Sequence, residues 1–211
     1  MKIAIIGWGY LIWDRRGLDV VPDWQPDGPW LPIEFARFAD PPRIVPVLVA
    51  DAPPQPTFWT LSLKRSMLAA AADLAVREGV GTQEIGQWSR EESMRKPAGI
   101  EAVISAWVEA KGLDGAVWRA IQPNLPDGSP GMPSEDVRLA FLRDLVAAGR
   151  AQDAKDYFDR MPAQIRTPFQ ERVWREFGWG RPTAAWSDQG GLGGTGLRCG
   201  PGGSFEGIAA S

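Results

Sequence analysis

Residues 5–14 of the chain read IIGWGYLIWD, and this stretch decides which folds the sequence is compatible with. The apolar run that begins at Lys2 stops at Gly7, which is the pattern of a buried strand ending in a tight loop. The loop is crowded, because Gly7 and Gly9 flank Trp8 and a second tryptophan follows at position 13. A short buried strand followed by a glycine loop therefore opens the fold.

Two interpretations of this loop come from the residues alone. A strand followed by Gly-x-Gly begins a dinucleotide-binding domain, but Ile12 stands where that fingerprint needs its third glycine, and no βαβ rhythm follows. The second interpretation is structural: the glycines permit a sharp turn, and Trp8 and Trp13 fill the core. The missing glycine argues against the first interpretation. The second does not explain why the residue types of the stretch 5–14 follow one another in this order.

The composition bounds the class of protein. At 211 residues and 44% hydrophobic content, the chain can bury one sizeable core, which predicts one domain. A net charge of -3 without a long basic run gives no electrostatic reason to expect a nucleic acid or a membrane as partner. The N-terminal apolar run is too short for a secretory leader or a membrane span, and the single Cys199 fits a reducing compartment. A cytoplasmic location is expected.

The chain contains no histidine. A Ser-His-Asp or Cys-His nucleophilic site and a zinc site built on imidazole are therefore excluded, and one cysteine cannot hold zinc by itself. No metal site is expected. If the protein is an enzyme, its proton transfers near neutral pH fall to a carboxylate, a lysine or a tyrosine.

Hydrophobic periodicity predicts an α+β fold with a mostly β core of about six strands. The predicted strands cover residues 2–6, 33–39, 43–50, 57–62, 99–110 and 115–121. Apolar residues recur at helical spacing from Ser62 onward, and Gly79 predicts the end of that helix. The C-terminal third is predicted to be helical, with Ser134 and Thr167 as N-caps.

Residues 1–186 are predicted to form a single domain with a helical extension over about 133–180. After Trp186, nine glycines occur in 25 residues, which leaves too little apolar surface to offset the entropy of ordering. Residues 187–211 are therefore predicted to be a flexible tail.

The string GWGYLIW at residues 7–13 resembles GYGSLIW, the signature that opens the γ-glutamylcyclotransferase-like superfamily and especially its ChaC-type branch, which acts on glutathione. TFWTLSL at 57–63 is similar to the strand that precedes the family's helix, and LAAAADLAVREGV at 68–80 is similar to that helix. The resemblance covers roughly residues 1–125 and implies a small mixed β-barrel over this core, with flanking helices. In one departure from the signature, Tyr10 replaces a small serine.

The resemblance also implies a site and a reaction. Glu78 takes the family's acid/base position. Backbone amides of the loop hold the γ-glutamyl part of the substrate, and the loop residues are Gly7, Trp8, Gly9, Tyr10 and Leu11. In the implied reaction an α-amine attacks its own γ-carbonyl, closes 5-oxoproline and expels an amine. One glutamate serves as base and then as acid, so no cofactor is needed, and the implied partner is a small-molecule γ-glutamyl substrate.

Other acids stay open as candidates. Glu34 is the reserve acid, because it lies in mid-strand and points either to solvent or into a polar barrel interior. Glu84, Glu91 and Glu92 belong to a polar stretch over 82–93 that is predicted to lie on the surface as a flap. The sequence carries no signal for an oligomeric state.

Other functions stay open as well. Arg37 and Arg77 are candidates for binding a substrate carboxylate, although arginines are common on surfaces. The chain is alternatively a non-catalytic small-molecule-binding domain in which Tyr10 blocks the pocket. A third possibility is an amide-transferring enzyme that reuses the same pocket.

Overall fold

The computed structural model describes residues 1–91 and 97–180, which contain seven strands and six helices. The strands are β1 (Ile3–Gly7), β2 (Trp30–Ala39), β3 (Arg43–Leu48), β4 (Pro54–Pro56), β5 (Phe58–Leu61), β6 (Ile85–Ser89) and β7 (Gly115–Arg119). The helices are α1 (Tyr10–Trp13), α2 (Met67–Glu78), α3 (Ile100–Ala110), α4 (Glu135–Ala147), α5 (Gln152–Arg160) and α6 (Pro168–Phe177). The described residues belong to one compact unit. Residues 187–211, predicted to be a flexible tail, lie outside the described residues.

The strands form two sheets. The first has the order β5-β1-β7-β6 and is mixed, because β1 runs parallel to β7 and antiparallel to β5. The second sheet, β3-β2-β4, is antiparallel throughout. The α+β class predicted from the sequence is confirmed, but the described strands form two open sheets and not a closed form of the small mixed β-barrel that the resemblance implies.

The outer edge of β5 gives a physical reason why the first sheet does not continue into the second. An irregular segment after α1 covers that edge, where the amides of Val21 and Gln25 donate hydrogen bonds to the carbonyls of Leu61 and Trp59 at 2.9 and 2.8 Å. Edge groups that are already hydrogen-bonded are not free to pair with another strand. None of the strands predicted from the sequence includes this segment, so its pairing with β5 is a finding of the structure.

The first strand is buried on both faces, which explains why it reads as an unbroken apolar run. Ile3 and Ile5 belong to the hydrophobic cluster that includes the buried face of α2. Ala4 and Ile6 point the other way, into the larger cluster that includes Phe35. Alternate side chains of β1 thus pack into two apolar layers. The strand ends at Gly7, where the glycine loop begins.

The helix that follows β5 is α2. Ser66 caps its start by accepting a hydrogen bond from the amide of Ala69, and Gly79 ends it in the left-handed conformation with a φ of 67°. The predicted end of the helix at Gly79 is confirmed. The last residue of α2 is therefore Glu78.

The predicted strand over 99–110 is wrong, because this segment forms α3. Ile100, Ile104 and Val108 follow one another at a spacing of four residues, which places them on one face of a helix. Ile104 and Val108 are fully buried. Packing of this face overrides the preference of β-branched residues for strands.

The polar stretch over 82–93 is not the surface flap that the sequence predicts. Residues 85–89 form β6, which pairs antiparallel with β7. Ile85 and Trp88 are buried in this strand, so two apolar side chains are enough to hold it in the sheet. Residues 92 and 93 lie outside the described residues.

Three helices confirm the helical C-terminal third. Ser134 accepts a hydrogen bond from the amide of Val137, and Thr167 accepts one from the amide of Gln170, as expected for the predicted N-caps. The remaining helix, α5, lies within the predicted helical extension but has no predicted cap of its own; it contacts β3 and buries Tyr157. None of the helices in the described part of the chain is long and apolar enough to cross a membrane.

Candidate functional site

A cavity of about 310 Å³ opens where β1 ends. Its wall includes every residue of the loop 7–11 and the last residue of α2, Glu78. Tyr157 of α5 lies on the same wall. The volume is at the lower end of the roughly 300–1,000 Å³ typical of small-molecule sites. Two motifs that are far apart in the sequence, the glycine loop and the end of α2, therefore meet at one cavity.

Glu78 reaches the cavity because α2 ends at this residue. Arg77 Nη1 lies 2.6 Å from Glu78 Oε1, and Arg119 Nε lies 3.9 Å from Glu78 Oε2. Arg77 is itself anchored, because its Nη2 donates a hydrogen bond to the carbonyl of Asp14. The Glu78 side chain is 19% exposed, so a ligand in the cavity can reach it. Two guanidinium groups thus orient the carboxylate at the cavity wall.

The Tyr157 hydroxyl lies against the glycine loop and accepts a hydrogen bond from the amide of Tyr10 at 3.3 Å. A Cβ atom at Gly9 would meet this hydroxyl oxygen at 2.5 Å, so only glycine fits there without displacing the phenol. Burial raises the pKa of Tyr157 far above its ordinary value, although the Tyr10 amide and the nearby Arg43 lower it. The phenol is therefore protonated at neutral pH and can donate a hydrogen bond into the cavity.

Tyr10, which replaces the signature serine, fills part of the cavity. Its ring centroid lies 5.4, 5.9 and 5.3 Å from the guanidinium carbons of Arg16, Arg43 and Arg77. Contacts of this kind stabilise a cation against an aromatic ring. A hydrogen bond from Tyr10 lowers the pKa of Asp14. The ring is thus held by several neighbours in space that a serine would leave open.

The cavity wall is cationic. Among residues 1–91 and 97–180, five arginines line it together with two carboxylates, those of Asp40 and Glu78. The arginines are Arg16, Arg37, Arg43, Arg77 and Arg119. Burial lowers the pKa of Arg37, and the cation of Arg119 lowers it further, so these two positive charges act on each other. A wall with this balance of charge favours an anionic ligand.

Glu34, the reserve acid, lies in another part of the molecule and does not line the cavity. It is 6% exposed, and its carboxylate accepts hydrogen bonds from the amides of Phe35 and Phe169 at 2.7 and 3.2 Å. Burial raises the pKa of Glu34, although a hydrogen bond with Thr167 and the nearby Arg138 lower it. The contacts of Glu34 join β2 to the first turn of α6.

Of the other candidate residues named from the sequence, some line the cavity and some do not. Arg37 and Arg77, considered for a substrate carboxylate, both line the cavity. Glu84 lies beside it and pairs with Arg119 at 3.1 Å. Glu91 is exposed and does not line the cavity. Glu92 lies outside the described residues.

Several cavity residues are not found by sequence reasoning, namely Arg16, Arg43, Arg119 and Tyr157. Tyr157 does carry a signal, because the chain has only two tyrosines and a protein without histidine has few groups able to transfer a proton. Ala154, Tyr157 and Phe158, the buried residues of α5, follow the i, i+3, i+4 spacing of a helix face. The arginines carry no such signal, since they stand in a turn or at strand ends, where arginine is common.

Searches against protein-family models, curated proteins and solved structures found no match for this chain. Within residues 1–91 and 97–180, no group of three or more cysteine, aspartate or glutamate side chains is placed to hold a metal ion. The geometry of the cavity and the two sequence motifs are therefore the grounds for a functional proposal.

Proposed function

We propose that this protein is a γ-glutamylcyclotransferase-like enzyme that releases 5-oxoproline from a γ-glutamyl peptide or amine. One observation carries the proposal: the Glu78 carboxylate and the backbone of residues 7–11 line the same cavity. These are the two motifs to which the sequence resemblance assigns the acid/base and the substrate-binding loop. Their meeting is what a working site of this kind requires.

The proposed fold is of the γ-glutamylcyclotransferase-like type, with two open sheets in place of a closed barrel. Support comes from the order and pairing of the elements. The family-like strand at 57–63 contributes β5, which pairs antiparallel with β1. The family-like helix at 68–80 contributes most of α2, which carries Glu78 to the cavity.

In the proposed reaction Glu78 acts first as a base. It takes a proton from the α-ammonium of the γ-glutamyl group, and the freed amine attacks the γ-carbonyl carbon of the same molecule. The walls of the cavity hold the substrate folded, so that amine and carbonyl meet. Effective molarities for well-oriented reactions of this kind reach roughly 10⁵ M or more, so positioning supplies a large part of the acceleration.

Glu78 acts next as an acid. The attacking nitrogen gives up its second proton to water, the carbonyl re-forms as the bond to the leaving nitrogen breaks, and Glu78 returns its own proton to that nitrogen. The products are 5-oxoproline and the free amine, and the carboxylate is regenerated. Two kinds of donor on the cavity wall can stabilise the oxyanion of the intermediate, the protonated phenol of Tyr157 and the backbone amides of the loop 7–11.

A second candidate function is non-catalytic binding of a small molecule in the same cavity. Tyr10 favours it, because the ring occupies the place of the signature serine and contacts three guanidinium groups. A cavity narrowed in this way can hold an anion without folding a γ-glutamyl chain for cyclisation.

The test is 5-oxoproline release from glutathione and a panel of γ-glutamyl amines by the purified protein. We expect release from at least one compound by the wild type. Tyr10→Ser should extend turnover to bulkier leaving groups, because it removes the ring, whereas Tyr10→Phe keeps the ring and should retain the wild-type selectivity. No release from any compound by wild type and Tyr10→Ser alike would contradict the proposal and support the binding domain.

A further inference from the structure

Two of the five arginines that line the cavity form no ion pair with an acidic side chain of the described residues. Arg37 Nη1 donates to the carbonyl of Gln122 at 3.0 Å, and Arg43 Nη1 donates to the carbonyl of Pro41 at 3.0 Å. A backbone carbonyl carries only a partial negative charge, so it does not neutralise a guanidinium group. Asp40 lies in the turn between Arg37 and Arg43 and forms no ion pair with either one.

The other three cavity arginines are paired with carboxylates. The nitrogen–oxygen distances are 3.3 Å for Arg16 and Asp14, 2.6 Å for Arg77 and Glu78, and 3.1 Å for Arg119 and Glu84. The uncompensated positive charge of the cavity is therefore concentrated on the hairpin of β2 and β3, which carries Arg37 and Arg43.

Both hairpin arginines retain hydrogen-bonding or charge-pairing capacity that the described residues do not fill, although Arg43 also contacts the rings of Tyr10 and Tyr157. Arg43 Nε is buried without a hydrogen-bond partner. Arg37 is partly buried and is repelled by the cation of Arg119, while the Glu84 carboxylate attracts it without forming an ion pair. An anion bound between them would supply the missing partner and offset the cost of burying the charges.

The position of Glu78 decides which part of the substrate meets the hairpin. In a γ-glutamyl compound the α-amine and the α-carboxylate share one carbon atom. With the amine at Glu78, the proposed pose places its carboxylate beside Arg77 and Arg119, the two arginines that flank Glu78. The hairpin arginines are left for the other end of the molecule, which is the leaving amine.

We propose that Arg37 and Arg43 form an anion subsite that binds a carboxylate or phosphate carried by the leaving amine of the substrate. This subsite rests on the proposed function for its relation to the γ-glutamyl group. Its consequence is selectivity: γ-glutamyl compounds with an anionic leaving group bind more tightly than those that release a neutral alkylamine. Arg37 and Arg43 are then specificity-determining residues.

The test is calorimetric titration of two ligands into Glu78→Gln, a variant in which turnover is blocked. Glutathione has a carboxylate on its leaving part, and γ-glutamylethylamide has none. We expect Arg37→Gln and Arg43→Gln, each in this background, to weaken glutathione binding roughly tenfold and to leave γ-glutamylethylamide binding unchanged. Arg150→Gln, at an exposed site outside the cavity, is the matched control and should change neither affinity.

Two results would overturn the subsite: equal losses for both ligands in the hairpin variants, or no loss for glutathione. Arg43→Lys guards against a folding defect, because it keeps the charge and should recover part of the affinity. Inorganic phosphate and glutarate separate this inference from the proposed function. If no γ-glutamyl ligand binds but either anion binds and is weakened by Arg37→Gln and Arg43→Gln, the subsite stands alone, and the stronger anion identifies the preferred group. If neither anion binds, or binding is insensitive to both substitutions, the subsite is rejected.

Discussion

Glu78 and Glu34 are both shielded carboxylates near arginines, yet they lie in different regions and face different surroundings. Glu78 stands at the end of α2, where Arg77 and Arg119 hold it at the wall of the cavity. Glu34 stands in β2, where backbone amides of the protein itself take up both of its oxygens. The first carboxylate is open to a ligand, and the second is closed off by the fold.

The difference teaches that burial alone does not identify a catalytic acid. Glu34 is the more deeply buried of the two, and burial raises its pKa, which is a property often found in acid/base residues. Its contacts nevertheless connect β2 to the start of α6, where a carboxylate interacts favourably with the helix dipole. The groups that surround a carboxylate are therefore a better guide to its role than its exposed fraction.

The largest expected effect separates the two glutamates by turnover. Glu78→Gln should lower 5-oxoproline release by roughly 10² to 10⁴-fold, because glutamine keeps the shape but cannot accept the proton. Folded Glu34→Gln should keep the wild-type rate. Glu109→Gln, in the last turn of α3, controls for loss of a glutamate at a helix end. Full activity in Glu78→Gln, or an equal collapse in Glu34→Gln, would break the comparison.

The next largest effect tests the structural role of Glu34 through the free energy of unfolding. Glu34→Ala should lower the free energy of unfolding by about 3 kcal/mol, because it leaves buried amides without an acceptor and Arg138 without its acidic neighbour. Glu109→Ala, at an exposed site, should stay within about 0.5 kcal/mol of the wild type. Urea unfolding followed by tryptophan fluorescence measures both. A loss below about 1 kcal/mol for Glu34→Ala would contradict its structural role.

The smallest expected effect is a change in the free energy of unfolding with pH. Burial raises the pKa of Glu34 in the folded protein above its ordinary value of 4.5, so the folded state binds the proton more tightly than the unfolded chain. The stability that this gives is complete below 4.5 and is lost as the pH rises through the folded pKa.

The difference in unfolding free energy between wild type and Glu34→Gln isolates this slope, because glutamine does not titrate. We expect the wild type to lose stability relative to the variant as the pH rises from below 4.5 toward neutrality. Unfolding curves for both proteins over that range measure it. A difference that is flat, or that rises with pH, would show that the fold does not raise the pKa of Glu34.

Local signals in the sequence are enough to predict part of this molecule. The strand before Gly7 and the helix ended by Gly79 are set by apolar period and glycine conformation, which act over a few residues. The segment 99–110 carries two conflicting local signals, because Ile100, Ile104 and Val108 recur at helical spacing although the residues themselves are β-branched. Its β-branched residues suit a strand by propensity, and only packing of Ile104 and Val108 against the core decides for a helix.

The candidate site likewise combines residues that local motifs predict with residues that only the fold brings to the cavity. Glu78 and the loop 7–11 are predicted because they lie in motifs, and the structure places them at one cavity. Arg43 and Tyr157 reach that cavity only through the pairing of β3 with β2 and the docking of α5 on β3. Contacts between elements distant in the chain leave no periodic trace in the sequence, so these residues become visible only in the fold.

The most direct test of the central claim is the position of a bound γ-glutamyl compound. Crystals of Glu78→Gln soaked in glutathione should show the ligand in the cavity at the end of β1, with its α-amine beside residue 78 and its γ-carbonyl facing the backbone of residues 7–11. Glutathione bound elsewhere on the protein, or a ligand-free cavity at a saturating concentration, would contradict the account.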